Sequence, residues 1–101
     1  MADYKSIIAE QIKSRPVFIY MKGSPSMPMC GFSARSIEVL KMAGADFAHF
    51  NILDDMNLFE ELKKLNDWPT SPQIFVKGEF VGGCDIICEM FESGDLQKML
   101  A

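Results

Sequence analysis

Apolar residues recur along the chain at two spacings, and the change from one spacing to the other predicts alternating helices and strands. After Asp3, isoleucines recur at helical offsets, and Asp3 itself can cap the helix they predict. The helix should end before Pro16, because proline disfavours the helical conformation of the residue that precedes it. The uninterrupted apolar run Val17–Met21 then predicts a buried strand.

A loop rich in glycine, serine and proline follows this strand, and a second helical pattern begins directly after the loop. Ala34, Ile37 and Leu40 share one face at helical spacing. Gly44 is a residue type that commonly ends a helix. The pattern therefore places Cys30 at or just before the amino terminus of the second helix.

The middle of the chain predicts another strand and another helix. Residues 47–52 form a short run typical of a strand, and Asp54 or Asp55 can cap the helix that follows. The apolar face of that helix is expected to consist of three leucines at offsets of four and seven: Leu58, Leu62 and Leu65. The order strand, helix, strand predicts a parallel pair joined by a crossover helix.

The last third of the chain predicts a hairpin and closing helices. Residues 73–77 and 80–81 flank Gly78-Glu79, a pattern typical of a hairpin turn. A helix should follow Gly82-Gly83 and end at Gly94. Its inward face is expected to carry Ile87, Met90 and Phe91. A last turn adds three more apolar residues to the core: Leu96, Met99 and Leu100.

These elements predict an α/β fold, a four-stranded mixed sheet flanked by helices on both faces. The first half is a parallel β-α-β unit and the second half an antiparallel hairpin with a closing helix. The 101 residues, of which 49% are hydrophobic, are enough for one compact core. We therefore expect a single domain that spans residues 1–101.

Charge and composition narrow the classes of partner. The net charge is −4, the sequence pI is about 4.8, and the ten basic residues are scattered, which argues against a nucleic-acid partner. No apolar run approaches the roughly 20 residues of a membrane-spanning helix, so no membrane is expected. Three cysteines are too few, and odd in number, for a disulfide framework. The expected compartment is the cytoplasm, and a mature organelle form that has lost its transit peptide remains an open alternative.

The candidate chemistry centres on Cys30. Unpaired backbone N–H groups and the helix dipole at a helix start favour a thiolate over a thiol. Lys22, at the end of the preceding strand, can add a positive charge near this thiolate. Ser33 stands where a redox-active Cys-x-x-Cys motif would carry its second cysteine, so simple dithiol cycling is excluded.

Four ordered motifs together resemble the monothiol glutaredoxins of the Cys-Gly-Phe-Ser class. They are Lys22-Gly23-Ser24-Pro25, Cys30-Gly31-Phe32-Ser33, the segment from Trp68 to Gln73, and Gly82-Gly83-Cys84-Asp85. The resemblance covers essentially the whole chain. It implies a thioredoxin fold that binds glutathione.

The resemblance also implies which residues contact glutathione. Lys22 would meet its glycine carboxylate, and the backbone of Ser71, before a cis proline, would pair with the tripeptide as an added strand does. Gly83 allows the backbone to approach a ligand closely. The N–H groups of Cys84 and Asp85, at a helix start, can hold the γ-glutamyl carboxylate. The Asp85 side chain can bind the amine or act as the helix cap.

One position departs from the family pattern. Where relatives usually carry an arginine early in the third helix, this sequence has Phe59. A charge-assisted bond to the glycine carboxylate should therefore be missing, and glutathione should bind more weakly than is usual for the family. Lys63 or Lys64, one turn later, is a candidate substitute.

Two functions remain open. The favoured one, implied by the resemblance, is a carrier in which Cys30 from each of two chains and the thiol of one glutathione per chain hold a [2Fe-2S] cluster. The partners would then be a second copy of the chain, a BolA-type protein and apo iron-sulfur recipient proteins. The alternative is an enzyme, a glutathione-dependent thiol-disulfide oxidoreductase with Cys30 as nucleophile.

The two other cysteines and the single histidine are weaker candidates for a role in the chemistry. Cys84 could resolve a disulfide with Cys30 if their α-carbons come within about 7 Å, whereas Cys88 is expected to serve packing. A zinc site of all three cysteines is a poor alternative, because their spacing is loose and the only histidine, His49, falls in a predicted strand.

Overall fold

The computed structural model describes residues 3–101, and its elements follow the order that the hydrophobic pattern predicts. The chain runs through α1 (Tyr4–Gln11), β1 (Val17–Met21), α2 (Gly31–Met42), β2 (Phe47–Asn51), α3 (Met56–Asn66), β3 (Gln73–Val76), β4 (Glu79–Gly82), α4 (Cys84–Ser93) and α5 (Asp95–Leu100). A single 3₁₀ turn, Ile52–Asp54, connects β2 to α3. No helix within these residues is long and apolar enough to cross a membrane.

The four strands form one mixed sheet in the order β2-β1-β3-β4. β1 is parallel to β2 and antiparallel to β3, and β3 is antiparallel to β4. This arrangement confirms the predicted parallel unit followed by a hairpin. The arrangement is a thioredoxin fold. The parallel pair of β1 and β2 forms one side of the sheet, and the hairpin of β3 and β4 forms the other.

Both faces of the sheet are covered, because all five residues of β1 are buried and alternate between two cores. Val17, Ile19 and Met21 face a core completed by α2, α4 and α5. Phe18 and Tyr20 face the other core, which α1 and α3 complete. The prediction of helices on both faces is confirmed.

Two local predictions were wrong. The hairpin turn is Lys77-Gly78 and not Gly78-Glu79, because β3 ends at Val76 and β4 begins at Glu79. Both turn residues have positive φ (52° and 82°), as a type I′ hairpin turn requires. Leu65 is 52% exposed. Phe59 joins the buried face of α3 and shifts its centre, so that Asn66 rather than Leu65 faces inward in the last turn.

The helix caps explain where α1 and α3 begin. Asp3 accepts a hydrogen bond from the backbone N–H of Ser6, and Asp55 accepts one from the backbone N–H of Leu58. Of the two aspartates predicted for α3, Asp55 is therefore the cap. α2 and α4 begin without a side-chain cap, at Cys30 and Gly83. Both of these uncapped starts belong to the candidate site.

Candidate functional site

Cys30 is the N-cap residue of α2, between the loop that follows β1 and the first helical turn. Its backbone is extended (φ −157°, ψ 145°), and its side chain makes no capping hydrogen bond. The first N–H groups of the helix therefore lack an intrahelical acceptor, and they favour negative charge at this position. The thiol is partly exposed. An anionic sulfur at Cys30 is thus both stabilised and accessible.

The surroundings of Cys30 lower the pKa of its thiol below the ordinary value, as predicted. Partial burial is the largest single influence and acts in the opposite direction, because desolvation disfavours the charged form. It is outweighed by the backbone N–H and hydroxyl of Ser33, the backbone N–H of Phe32 and the charge of Lys22. The thiolate, which is the nucleophilic and metal-binding form, is therefore favoured.

Ser33 has a role that its sequence position did not reveal. The residue is fully buried, and its hydroxyl oxygen accepts a hydrogen bond from the backbone N–H of Lys22 at 3.3 Å. The same hydroxyl stabilises the Cys30 thiolate. From the sequence, Ser33 is recognisable only as a missing thiol. In the folded chain it links the end of β1 to the reactive sulfur.

We expect Ser33→Ala to raise the pKa of Cys30 toward that of an ordinary thiol, because a hydrogen bond to the thiolate is lost. The rate of Cys30 alkylation by iodoacetamide, followed by peptide mass spectrometry, should shift to higher pH, since only the thiolate reacts. At a pH between the two pKa values, the variant should react more slowly than the wild type.

The matched control for this measurement is Ser36→Ala, which removes another fully buried hydroxyl, one that donates to the carbonyl of Phe32 at 2.9 Å. An unshifted profile for Ser33→Ala, or an equal shift in both variants, would contradict the role given to Ser33.

The loop before Cys30 is held by backbone bonds and by a distant side chain. Met29 N–H donates to the carbonyl of Lys22 at 2.9 Å, and Gly23 N–H donates to Asn51 Oδ1 at 3.0 Å. Gly23 has φ +87°, and a Cβ there would collide with the carbonyl oxygen of Met27. Only glycine fits this position. The loop therefore presents Cys30 from a fixed backbone.

The predicted site residues line one groove with a volume of about 570 Å³. All six of them meet there: Lys22, Cys30, Ser71, Gly83, Cys84 and Asp85. They come from the end of β1, the start of α2, the segment before β3 and the start of α4. Apolar side chains, among them Phe59 and Trp68, complete the lining.

One wall of the groove is the segment from Trp68 to Pro72, and Gln73 holds it in place. Gln73 is fully buried, and its amide donates to the carbonyls of Trp68 at 2.9 Å and Thr70 at 3.1 Å. Its side-chain oxygen accepts from Asn66 at 2.8 Å. The Ser71–Pro72 peptide bond is cis, as the resemblance implies. The supporting role of Gln73 was not predicted.

The start of α4, where Gly83 is the N-cap, lies directly against this segment. A Cβ on Gly83 would lie 3.1 Å from the carbonyl oxygen of Pro72 and 3.5 Å from Trp68 Nε1, so a larger residue would crowd both of them. Asp85 lies in the first turn, which excludes the alternative that Asp85 caps the helix. The N–H groups of this first turn, and the Asp85 carboxylate, border the groove.

Phe59 lines the groove at the position where the resemblance leads one to expect an arginine. Lys63 Nζ lies 4.9 Å from the centre of the Phe59 ring and 2.7 Å from Glu60 Oε1. Lys64 lies 3.9 Å from Glu61 and is largely exposed. Neither lysine is part of the lining. Among the lining residues, all of them within the described range, Lys22 carries the one positive charge.

The other candidate ligands are His49 and the two cysteines of α4. His49 lies in β2 and is exposed. All three cysteines are free thiols, and the Cys84 sulfur lies 4.0 Å from that of Cys88. Within residues 3–101, no three His, Cys, Asp or Glu side chains are grouped so that they could hold a metal ion.

Comparisons with known proteins agree with this geometry. Residues 17–81 match the sequence model of the Glutaredoxin family. The chain is 47% identical over 93 residues to "Probable monothiol glutaredoxin 2" of Rickettsia typhi, which covers 92% of this chain and 84% of that protein. The solution structure of reduced poplar apo GrxS14 matches with a TM-score of 0.82 and 41% identity, over 93% of this chain and 86% of that one.

A crystal structure of a buckwheat glutaredoxin-glutathione complex has the same fold. It matches with a TM-score of 0.82 over 96% of this chain and 86% of that one, at 22% identity. The buckwheat glutaredoxin in that crystal structure is in complex with glutathione.

Proposed function

This chain belongs to the glutaredoxin family, among its monothiol members, and we propose that it binds glutathione and uses it to assemble and transfer [2Fe-2S] clusters. The single observation that carries the proposal is a stabilised, accessible thiolate at Cys30 on a groove of ligand size, with serine in the place of a second thiol. The proposal treats residues 1–101 as one domain. It places the protein in the cytoplasm.

The groove fits the charges of glutathione, a tripeptide with two carboxylates and one ammonium group. Lys22 supplies a positive charge for one carboxylate, and the uncapped start of α4 supplies N–H groups for the other. The Asp85 side chain is available to the ammonium group. Ser71 offers backbone groups for pairing with the peptide. The volume falls within the usual range of about 300–1,000 Å³ for small-molecule sites.

The cluster proposal rests on the resemblance to monothiol glutaredoxins of the Cys-Gly-Phe-Ser class, and the ligands of this chain fit it only if two copies share the cluster. A [2Fe-2S] cluster is commonly held by four sulfur ligands. Cys30 offers one thiolate, and no group of three metal-binding side chains exists within residues 3–101 to supply the rest. Glutathione bound beside Cys30 can supply a second thiolate, and a second copy of the chain can supply the same pair again. In this proposal the cluster is the cargo of a homodimer.

The partners proposed for the loaded dimer are apo iron-sulfur recipient proteins and a BolA-type protein. A ligand set that includes an exchangeable small molecule at an open groove is suited to transfer rather than to permanent storage. Exposed apolar side chains flank Cys30, including Met29 (66% exposed) and Phe32 (63% exposed), and offer a contact surface at the same place.

The second candidate function, supported by the lowered pKa of Cys30, is deglutathionylation. The Cys30 thiolate would attack the glutathione sulfur of a protein mixed disulfide and release the protein thiolate, which takes up a proton. A second glutathione thiolate would then attack the Cys30-glutathione disulfide, releasing glutathione disulfide and restoring Cys30. Since Ser33 cannot resolve the intermediate, each cycle waits for an external thiol.

One paired assay separates the two functions. The loaded protein is mixed with an apo-ferredoxin, and the transfer rate is compared with the turnover of a glutathionylated peptide by the same preparation. Transfer that is faster than turnover supports the carrier. Rapid turnover without transfer would move the assignment to the oxidoreductase.

In protein that stays folded, we expect Phe59→Arg to tighten glutathione binding roughly tenfold, because charge-assisted hydrogen bonds contribute about 1.5–3 kcal/mol and 1.4 kcal/mol is a factor of ten. Because Phe59 is only 7% exposed, the same substitution should also lower the free energy of unfolding. The chain has one tryptophan, Trp68, and it lines the groove, so its fluorescence can follow the titration. Phe59→Met is the matched control, which keeps the position apolar. A fluorescence titration in which folded Phe59→Arg binds glutathione no more tightly than Phe59→Met would contradict the account of Phe59.

A further inference from the structure

A second thiol site lies on α4, beside the groove and apart from Cys30. Cys84 and Cys88 are four residues apart, so their side chains project from the same face of the helix. Their sulfur atoms lie 4.0 Å apart, and neither is part of a disulfide. Cys84 lines the groove, whereas Cys88 is partly exposed and packs at the edge of the core that α2 shares with α4.

The separation of the two sulfurs matches what a thiophilic ion needs. Two metal-sulfur bonds of about 2.3 Å that enclose a tetrahedral angle hold their sulfurs about 3.8 Å apart. The observed 4.0 Å is within a few tenths of an ångström of this value, so both thiolates can reach one ion with little movement of the helix.

Neighbouring groups act on the ionisation of Cys88 in opposite directions. Burial and the neighbouring Cys84 thiol raise the pKa of Cys88, against the lowering effect of the Arg35 guanidinium. Arg35 lies against Cys88 and is paired with Glu38 at 3.2 Å. A divalent cation bound between the two sulfurs takes the place of their protons. Two thiolates and one divalent cation form a neutral unit, which suits a largely buried place.

We propose that Cys84 and Cys88 form a two-thiolate binding site for a soft divalent cation, of which zinc and cadmium are examples. Binding displaces one proton from each thiol and forms two metal-sulfur bonds without any change of oxidation state. The remaining coordination positions are open to water or to a small thiol in the groove, because Cys84 borders it. This site needs neither Cys30 nor the cluster, so it stands independently of the proposed function.

The test uses Cd²⁺ alone as the probe, with the full chain, reduced and free of metal. The Cys30→Ser background is used first, because it removes the other reactive thiol. Titration is followed by the thiolate-to-cadmium absorption band in the ultraviolet, by bound cadmium per chain, and by the number of thiols protected from a thiol reagent. Sizing after the titration reports whether the ion bridges two chains.

The expected result is about one Cd²⁺ per monomeric chain in the Cys30→Ser protein, with both remaining thiols protected. Adding Cys84→Ser or Cys88→Ser should each remove the band. Circular dichroism and the unfolding midpoint of these variants report whether each one is folded, and Cys88→Ala provides a second substitution that preserves apolar packing.

Three results would overturn the proposal. The first is a band that disappears in Cys30→Ser, which would assign the ion to Cys30. The second is a band that persists in a folded Cys88→Ser or Cys88→Ala variant. The third is binding only in a dimer bridged by the ion. None of these results bears on cluster assembly, which is measured separately with iron, sulfide and glutathione.

Discussion

Cys30→Ser is expected to abolish cluster assembly completely, together with any glutathione-coupled disulfide turnover. The hydroxyl of serine is not ionised at neutral pH, so it can act neither as a soft ligand for iron nor as the attacking thiolate. Anaerobic reconstitution with iron, sulfide and glutathione, followed by visible absorption, measures the first effect. Turnover of a glutathionylated peptide measures the second.

The control for this variant is Cys88→Ser, the same substitution at a thiol outside the groove lining, which should retain the cluster. Retention of a cluster by Cys30→Ser would mean that another residue is the iron ligand. Because Cys30 is an N-cap without a capping bond, serine should also be tolerated by the fold. A loss of cluster in a folded variant is then a loss of the ligand.

Gln73→Leu is expected to destabilise the protein by about 2–4 kcal/mol, because three partners lose their hydrogen bonds to a fully buried amide. Such a loss is a large part of the stability of about 5–15 kcal/mol that is typical of a domain. The free energy of unfolding, measured by urea denaturation with Trp68 fluorescence as the signal, tests this directly.

The same substitution should weaken glutathione binding in the fraction that stays folded, because Gln73 supports the wall formed by Trp68 and Thr70. Gln97→Leu is the matched control. Gln97 is exposed, and its one bond, to the carbonyl of Phe91, is long at 3.5 Å. Equal unfolding free energies for the two leucine variants would show that the buried amide does not hold the wall.

The sequence predicted the fold well because each element carries its own local information. The caps at Asp3 and Asp55, the apolar strand Val17–Met21 and the glycines that end helices all act within a few residues. The prediction that Leu65 belongs to the buried face of α3 was wrong, because burial at this position depends on distant parts of the chain. Which side of α3 is buried depends on where the sheet lies, and the buried Phe59 became visible only in the fold.

The candidate site also contains residues whose roles the sequence predicts and residues whose roles it does not. The roles of motif residues such as Cys30, Lys22 and Asp85 could be predicted from the sequence, since these residues lie at the ends of predicted strands and the starts of predicted helices. The roles of Asn51 and Gln73 could not. Asn51 accepts a hydrogen bond from Gly23, which is 28 residues away in the sequence. Gln73 donates to two backbone carbonyls that its side chain reaches only because the fold buries it. Polar residues of this kind carry no pattern that distinguishes them from ordinary surface positions.

The most direct test of the central claim is reconstitution of the wild-type chain with iron and sulfide in the presence of glutathione, without it, and with S-methylglutathione, which lacks a free thiol. With glutathione, we predict a coloured dimer with about one iron per chain. Without it, or with the methylated form, we predict a colourless monomer. Equal amounts of cluster in all three samples would contradict the account, because the sulfur ligands beyond Cys30 would then come from the protein itself.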